Sequence, residues 1–562
     1  MITEHAEADD IAAAARLLQR LARAAQHTPD NVCHAIAKAI EHAPNTLLPI
    51  AVSIARVGRD AIDQAIAEVI EAGNYGNADL EDLYASIPDT TSALRSTALA
   101  TAKQLFHHAP NTLDRAIALQ SLGHRSLRVG LPLEAVAASE ESLVLWRQLA
   151  ADDPDTHSVG LAQILHNLAV QYSAAEQHLD AVAAAEESLA LWRLMAENEA
   201  DLHESDVAHT LRSLAQLLSR TNRKQDALIA AEESVSLWRE INETDPESLP
   251  YLAMALGTMG SLLLDAGQPM KALALSKESV TLWRQLAAAD PEAHAEGLAS
   301  SLHMLGKQLS EGTQEHEAAL EVAEDAVAVW RRLVNVDPTT HADGLANALV
   351  GLGVYRADAD RRSEALEASE ESIALWRSLV KVDADTHTSG LANALHNYGL
   401  QLSGAGRHRD ALAAARESVF HWKRLRAEEP AAHADHLARA LRGLGRCLSQ
   451  LGKHKEALRA VEQAVPLLRA HTQNGSSASI ESLSEVLRSF GHKLLAAGRH
   501  QEALASLEES TAILRQLSSA DPDAYTASLV SNLRCLGGHL AEAGRREAAA
   551  KAMNEADRLT KE

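Results

Sequence analysis

The sequence predicts an all-α protein built from a repeated pair of helices. All seven tryptophans stand in one column, 45 to 47 residues apart, and a second column of large residues followed by Gly or Ala keeps the same spacing. An alanine stands thirteen residues after every large residue of that second column. Self-similarity at a fixed period of about 20 to 50 residues is typical of solenoid arrays. We therefore expect ten repeats rather than several independent globular cores.

Three columns of residues define the repeat. The tryptophans, continued by two leucines, are Trp146, Trp192, Trp238, Trp283, Trp330, Trp376, Trp422, Leu468 and Leu514. The large residues of the second column are Leu122, Leu168, Leu214, Met259, Leu305, Leu352, Tyr398, Leu444, Phe490 and Leu536. The alanines, predicted to lie where the two helices of a unit cross, are Ala135, Ala181, Ala227, Ala272, Ala318, Ala365, Ala411, Ala457, Ala503 and Ala549.

Each unit is predicted to hold two helices joined by a tight turn. Apolar residues recur at three- and four-residue steps over 158–174 and over 180–196, as in amphipathic helices. Gly406, Gly452 and Gly498 separate such helices, and a residue without Cβ can adopt the left-handed conformation that ends a helix. Proline after an acidic residue marks the breaks between units. These pairs are Asp153-Pro154, Asp245-Pro246, Asp290-Pro291, Asp337-Pro338, Glu429-Pro430 and Asp521-Pro522.

Composition and charge narrow the class of protein. Of 562 residues 46% are hydrophobic but only 3% aromatic, which favours packed helices over sheets. A formal net charge of -25 argues against binding to nucleic acid or to an acidic membrane, because such binding needs a surplus of Lys and Arg. Cys33, Cys447 and Cys535 fit no disulfide framework or zinc spacing. No signal peptide or long apolar span is recognisable, so a soluble, cytoplasmic protein is expected.

The repeat resembles the tetratricopeptide pattern. One unit shows its positions: Leu168-Ala169, the aromatic Tyr172 four residues on, Ala181 thirteen on and the small Ser188 twenty on. The resemblance covers residues 110–562, with units of about 46 residues where the common repeat has about 34. Such long units are similar to those of kinesin light chains and of sensor regions in some bacterial and fungal signalling ATPases. The resemblance implies a right-handed superhelical solenoid that binds a protein or peptide.

Two features depart from this pattern. Residues 1–109 do not follow the period, and they are predicted to form a divergent N-terminal helical cap over the first repeat. Within the array, Ser126 and Arg356 replace the aromatic residue or leucine. Asp325 stands at the small position, with Ala326 one step later, so the pattern leaves the packing around all three positions open.

No set of residues predicts catalysis, a cofactor or a metal site. The tryptophan column lies at the apolar phase of the second helix, which suits a core. Residues of one histidine column cannot share a metal ion, because equivalent positions of successive helix pairs lie at least about 10 Å apart. This column is interpreted as a polar or packing position at the entry to the first helix, and comprises His157, His203, His294, His341, His387 and His433.

Repeated acidic pairs are interpreted as a solvated outer stripe rather than as acid–base couples, because adjacent residues of a helix point about 100° apart. They are Glu140-Glu141, Glu186-Glu187, Glu232-Glu233, Glu370-Glu371 and Glu508-Glu509. The chain also contains no phosphate-binding loop, zinc-protease motif or nucleophile elbow. An enzyme is therefore not expected.

The partner-binding site is predicted on the first helices of the last four units. The resemblance implies that these helices line the concave surface, with groove-facing positions five before, two before and two after the large residue. Arginines occupy all three such positions of one helix, on a single face. Guanidinium groups can hold a carboxylate with two hydrogen bonds, so the expected partner is an acidic segment of a protein. The predicted contacts are Arg439, Arg442, Arg446, Arg488, Arg534, Asn393, His396 and Asn397.

Two other functions stay open at this point. The final repeat ends at Lys561-Glu562 without an added capping helix, and an uncovered end suits self-association into a structural assembly. The resemblance to repeats of signalling sensors also agrees with a second alternative, in which the chain is a regulatory sensor that acts with a separate ATPase or protease. Both alternatives, like the scaffold, involve no chemistry by this chain.

Overall fold

A computed structural model describes residues 17–18, 20 and 29–560, apart from 43, 56–59, 74, 88–93, 199, 222, 313–314, 383, 429–432, 473–476 and 521. The described residues form helices joined by short turns and include no strand. Contacts divide the chain into two compact units, residues 1–217 and 218–562, and both contain stacked helix pairs. The predicted all-α array of helix pairs is confirmed.

The first unit opens with five helices outside the period. They are α1 (Pro29–His42), α2 (Pro44–Ala55), α3 (Asp60–Ala72), α4 (Asn77–Ser86) and α5 (Arg95–His108). Helix α3 packs on α5, where Asp63 accepts a hydrogen bond of 2.6 Å from the Thr97 hydroxyl. Helix α5 packs in turn on the first periodic helix. The division of the chain at residue 110 into cap and array stays a prediction.

The periodic part of the first unit consists of α6 (Thr112–Arg128), α7 (Pro132–Asp152), α8 (Pro154–Ala174) and α9 (His178–Asn198), followed by α10 (Ala200–Arg220), within which the division between units falls. Helices α6 and α7 pair, as do α8 and α9. The alternation of first and second helix continues in the second unit.

The second unit contains α11 (Lys224–Thr244), α12 (Leu249–Asp265), α13 (Pro269–Ala289), α14 (Pro291–Lys307), α15 (His316–Val336), α16 (Pro338–Asp358), α17 (Arg362–Val382), α18 (Ala384–Gly404), α19 (His408–Glu428), α20 (Ala434–Gln450), α21 (His454–Thr472), α22 (Ser477–Ala496), α23 (His500–Ala520), α24 (Pro522–Glu542) and α25 (Arg546–Leu559). Each even-numbered helix from α12 onward packs against the second helix of its own unit, and consecutive first helices also touch from α12 to α22. The first helices therefore form a surface of their own.

The turns inside units follow the predicted glycine pattern. Gly406, Gly452 and Gly498 have φ values of 75°, 73° and 76°, in the left-handed region that a Cβ disfavours. Two units reach the same conformation without glycine, at Glu176 and Asp360. Helix termination thus depends on the turn geometry, and glycine makes that geometry less costly.

Acidic residues before proline begin the next unit. Asp153 accepts a hydrogen bond from the Thr156 amide at 3.3 Å, and Asp290 accepts one from the Ala293 amide at 3.1 Å. The side chain thereby accepts a hydrogen bond from an amide of the first turn that no helical carbonyl can reach. Proline is tolerated at the first helical position, because an N–H there would have no helical partner. The pair Glu429-Pro430 and residue Asp521 lie outside the described residues.

The core is built from the predicted columns. Every tryptophan of the column is at most 7% exposed, and Leu468 and Leu514 continue it as buried residues. Small residues twenty positions after the large residue add a repeated hydrogen bond, because their hydroxyls reach a carbonyl of the paired first helix. The Ser372 hydroxyl donates to the Ala346 carbonyl at 2.8 Å, and Ser418 donates to Ala392 at 2.7 Å. Serine therefore allows close packing and also fixes the helix pair.

One unit departs from the predicted register. Helix α14 runs into a π-helical turn, Gln308–Gly312. This turn takes up the extra residue in the 47-residue spacing between Trp283 and Trp330, where the commonest spacing is 46 residues. Consequently Ala319, not the predicted Ala318, is fully buried at the helix crossing. The same shift exposes Asp325 and buries Ala326, so the small position is filled one step late.

The acidic side chains of the outer stripe form ion pairs with arginines and are also exposed to solvent. Arginines that follow the tryptophan, or the equivalent leucine, reach an acid of the next unit's second helix. Arg331 lies 2.7 Å from Glu371, and Arg469 lies 2.6 Å from Glu509. Exposed pairs of this kind contribute about 0 to 1 kcal/mol each, so the ladder aligns neighbouring repeats more than it stabilises them. None of the described helices is both long and apolar enough to cross a membrane.

Candidate partner-binding groove

A basic groove lies in the second compact unit, residues 218–562, on the first helices α18, α20 and α22 of three consecutive repeats. Its volume is about 430 Å³. Five cationic side chains and one carboxylate line it, in a chain whose formal net charge is -25. The lining residues are His396, Leu400, Arg439, Arg442, Gly443, Arg446, Glu485, Arg488, Ser489, His492 and Lys493.

Five of the eight predicted contacts line this groove, and three do not. The five are Arg439, Arg442, Arg446, Arg488 and His396. Asn393 and Asn397 belong to the same helix as His396 but are not among the lining residues. Arg534 lies on α24, where it hydrogen-bonds the Thr560 hydroxyl at 3.3 Å and lies 3.8 Å from Asp557. These contacts hold Arg534 against the last helix and away from the cluster.

Glu485 is the single acid of the groove. It lies 2.6 Å from Arg442, whose side chain is 31% exposed. Among the residues that the structure describes, no carboxylate comes within 4 Å of Arg439, Arg446 or Arg488. Three guanidinium groups therefore face the groove without a partner of opposite charge in the described part of the chain.

The electrostatic cost of this cluster appears in its pKa values. Burial lowers the pKa of Arg442; Glu485 opposes the change, and the neighbouring arginines lower the pKa further. Burial, with the repulsion of Arg439, Arg442 and Arg446, lowers the pKa of His396 to about 3. His396 is therefore neutral at pH 7 and lines the groove as a hydrogen-bonding group rather than as a cation.

Sequence reasoning missed three of the lining residues that carry charge or can bind a proton. Glu485 and His492 stand five before and two after Phe490, at two of the positions already assigned to the groove, so the same rule could have found them. Lys493 follows one residue later. Burial is the main cause that lowers its pKa, and the nearby charge of Arg446 lowers it further.

The histidine column packs on the tryptophan column. The rings of Trp376 and His387 lie 6.0 Å apart between centroids, and those of Trp283 and His294 lie 6.1 Å apart. Each pair joins a second helix to the first helix of the next unit, which agrees with the packing interpretation.

A smaller pocket of about 280 Å³ lies mainly on the first helices α6, α8 and α10, with Trp192 of the second helix α9 beside them. Gln120, Gln163, His166, Asn167, Trp192, Asp206, His209 and Thr210 line it. Burial lowers the pKa of His209 to about 4, with smaller contributions from Arg212 and His166. The pocket is therefore lined by neutral amides and imidazoles with one acid. It differs in charge from the basic groove, although both lie on first helices.

The helix pairs, the buried alanine and tryptophan columns and the first-helix surface are those of an all-α, tetratricopeptide-like repeat fold. Residues 207–247 match the family model described as Tetratricopeptide repeat. Tetratricopeptide repeats generally act as non-catalytic scaffolds for protein interaction. No curated protein sequence matches the chain.

The solved structures to which the chain is similar include the following three. BtubC (BKLC) from P. vanneervenii is 16% identical with a TM-score of 0.36, over 46% of this chain and 93% of that chain. A putative kinesin light chain of P. anserina, with nearly identical TPR-like repeats, is 19% identical with a TM-score of 0.30, over 40% and 96%. A Rap protein complexed with competence and sporulation factor is 13% identical with a TM-score of 0.39, over 71% and 98%.

Proposed function

We propose that the chain is a non-catalytic scaffold whose first-helix face, the concave face expected from the sequence, binds an acidic segment of a partner protein. The observation that supports this most directly is the charge of the groove, which has five cationic side chains against one carboxylate. An exposed cluster of like charges destabilises the protein by self-repulsion. A bound carboxylate chain would relieve that repulsion.

The groups in the groove suit an extended peptide. Arg439, Arg442 and Arg446 lie one helical turn apart along α20, and Arg488 faces them from α22. A guanidinium group can form two parallel hydrogen bonds with a carboxylate, which fixes direction as well as attraction. Successive acidic side chains of a peptide would meet successive arginines. The strongly negative remainder of the chain would repel acidic chains that cannot reach the groove.

The helical scaffold lowers the entropic cost of this binding. The arginines project from helices whose positions are fixed by buried alanines and tryptophans, so little backbone ordering is needed on binding. Arg442 is further held by Glu485. We therefore expect a preformed site rather than one that folds around its ligand.

The test uses fluorescence anisotropy with a short Glu-rich peptide and its Gln counterpart as probes. The Glu-rich peptide should bind wild-type protein, and its affinity should fall as salt shortens the screening length from about 10 Å at 0.1 M. Arg442→Ala/Arg488→Ala should weaken this binding at least about tenfold, since each removed charge-assisted contact is worth about 1.5 to 3 kcal/mol. A pull-down from the native cell, repeated with the same variant, would then identify the natural partner.

The matched control removes the same charge from the outer ladder. Arg377 and Arg469 are each just over half exposed and pair with Glu417 and Glu509. Arg377→Ala/Arg469→Ala should leave peptide affinity unchanged. If this outer pair abolishes binding while the groove pair leaves affinity and salt dependence intact, the site lies on another face. Sedimentation at several concentrations separately tests self-association, which would appear as growth with concentration.

A further inference from the structure

Three side chains with metal-binding atoms meet beside the basic groove, on the first helices α22 and α24. The ligand atoms of His492, Cys535 and His539 all lie within 4.8 Å of one another. The His492 Nε2 atom lies 3.7 Å from the Cys535 Sγ atom, and the two imidazole rings lie 6.4 Å apart between centroids. Because 43 residues separate the first histidine from the cysteine, only the stacking of repeats brings these groups together.

The helices hold these groups in a suitable arrangement. Cys535 and His539 stand four residues apart on α24, so their side chains project from the same face of one helix. His492 faces them from α22, one repeat earlier. A pair of ligands at i and i+4 on a helix with a third from a neighbouring element is a common way of building a metal centre. The rigid backbones fix the separation before any ion arrives.

A second contact supports the arrangement independently. The Glu542 carboxylate lies 3.0 Å from the His539 Nδ1 atom. Metal-binding histidines usually donate the hydrogen of their other ring nitrogen to such a carboxylate, which fixes the tautomer and strengthens the ligand. With Nδ1–H donating to Glu542, the Nε2 lone pair of His539 is left for an ion.

The distances suit a tetrahedral ion bound by sulfur and nitrogen. Bond lengths of about 2.3 Å to sulfur and 2.0 to 2.1 Å to nitrogen place neighbouring ligand atoms of a tetrahedral zinc site about 3.6 Å apart. The measured separation of 3.7 Å between His492 and Cys535 is close to this value. All three ligand atoms lie within 4.8 Å of one another, so reaching tetrahedral spacing needs a contraction of at most about 1 Å, which small side-chain rotations supply.

We propose that His492, Cys535 and His539 form a binding site for a transition-metal ion of the zinc type, with Glu542 positioning His539. Thiolate and imidazole ligands select zinc-like ions over magnesium or calcium, which require oxygen ligands. On binding, the Cys535 thiol releases its proton to solvent and the thiolate binds the ion. Water or another small ligand completes the tetrahedron, because the cluster found among the described residues supplies three donors.

Cobalt(II) is the probe, since it occupies zinc sites and gives a thiolate-to-cobalt charge-transfer band in the near ultraviolet. Untagged full-length protein, fully reduced, should bind one equivalent of Co²⁺ with this band, and Zn²⁺ should displace it while Mg²⁺ should not. Cys535→Ser should remove the band, and His539→Gln should weaken binding at least tenfold. Glu542→Gln should weaken it about 10- to 100-fold, as expected for a carboxylate that orients a ligand.

His500→Gln is the matched control, because this exposed histidine lies in the same region outside the cluster. It should leave the band and the affinity unchanged. Circular dichroism of every variant should equal that of the wild type, which shows that the fold is intact. The inference is overturned if the wild type gives no thiolate band, or if Cys535→Ser retains it, since the sulfur would then come from another cysteine.

Discussion

The indole of Trp376 packs so closely on Gly390 that a Cβ on this glycine would lie 2.5 Å from the indole Cη2 atom. The same contact recurs three residues after the histidine column, at Gly160, Gly297 and Gly344. Two units replace the glycine by an aromatic ring that stacks on the tryptophan, Tyr251 at 5.0 Å from Trp238 and His436 at 4.6 Å from Trp422. In these six repeats the first helix of the next repeat is thus positioned either by close approach of its backbone or by stacking.

Gly390→Ala should therefore destabilise the second compact unit, residues 218–562. The added methyl group would force the buried Trp376 ring to move, and overpacking of this kind costs about 1 to 3 kcal/mol. Gly538→Ala is the control, because a Cβ there meets no atom within 4 Å and alanine is the better helix former by about 1 kcal/mol. Urea unfolding should show Gly390→Ala less stable and Gly538→Ala as stable as the wild type or more so; equal effects would contradict the close-approach argument.

The register shift after α14 gives a second prediction. Ala319→Leu should cost about 1 to 3 kcal/mol, because Ala319 is fully buried at the helix crossing. Ala318→Leu should cost much less, since Ala318 is only half-buried at the edge of the cluster. Thermal unfolding of the two variants decides between the registers. If Ala318→Leu is the more damaging change, the π-helical turn does not shift the frame.

The residues in these two predictions show which parts of the fold could be predicted from the sequence and which could not. The period, the helix pairs, the glycine turns and the buried tryptophans follow from local rules that recur along the described part of the array. The shift to Ala319 does not, because one extra residue can be absorbed at any point of a helix pair, and packing selects the turn at Gln308–Gly312. Phase rules placed Arg442 and Arg488 together, but they could not show that Thr560 and Asp557 hold Arg534 away.

A third prediction concerns acid. The pKa of His396 is about 3 in the folded protein, against an ordinary value of 6.5, because burial and the facing Arg439, Arg442, Arg446 and His436 disfavour the imidazolium. Between pH 6.5 and 3 the unfolded chain therefore binds a proton that the folded chain does not. The contribution of neutral His396 is fully present above pH 6.5 and falls by up to about 1.4 kcal/mol per pH unit on acidification.

His396→Gln should flatten this dependence, because glutamine keeps a polar side chain in the groove and does not titrate. Urea unfolding at several pH values from 7 to 4 is the measurement. The wild type should lose more stability over this range than the variant. Parallel curves for the two proteins would show that His396 binds a proton equally well in both states, contrary to the repulsion described.

The last prediction concerns Glu485, which lies 2.6 Å from Arg442 and is the one carboxylate lining the groove. Glu485→Gln keeps the side chain's size but leaves five cations unopposed, so it should lower stability by about 1 kcal/mol, the upper range for a partly exposed pair. Under the proposed function it should also raise affinity for the Glu-rich peptide about 3- to 10-fold with a steeper salt dependence, because the peptide no longer competes with Glu485 for Arg442. Anisotropy titration beside thermal unfolding measures both effects. Weaker peptide binding by this variant would mean that Glu485 orients Arg442 for the ligand rather than competing with it.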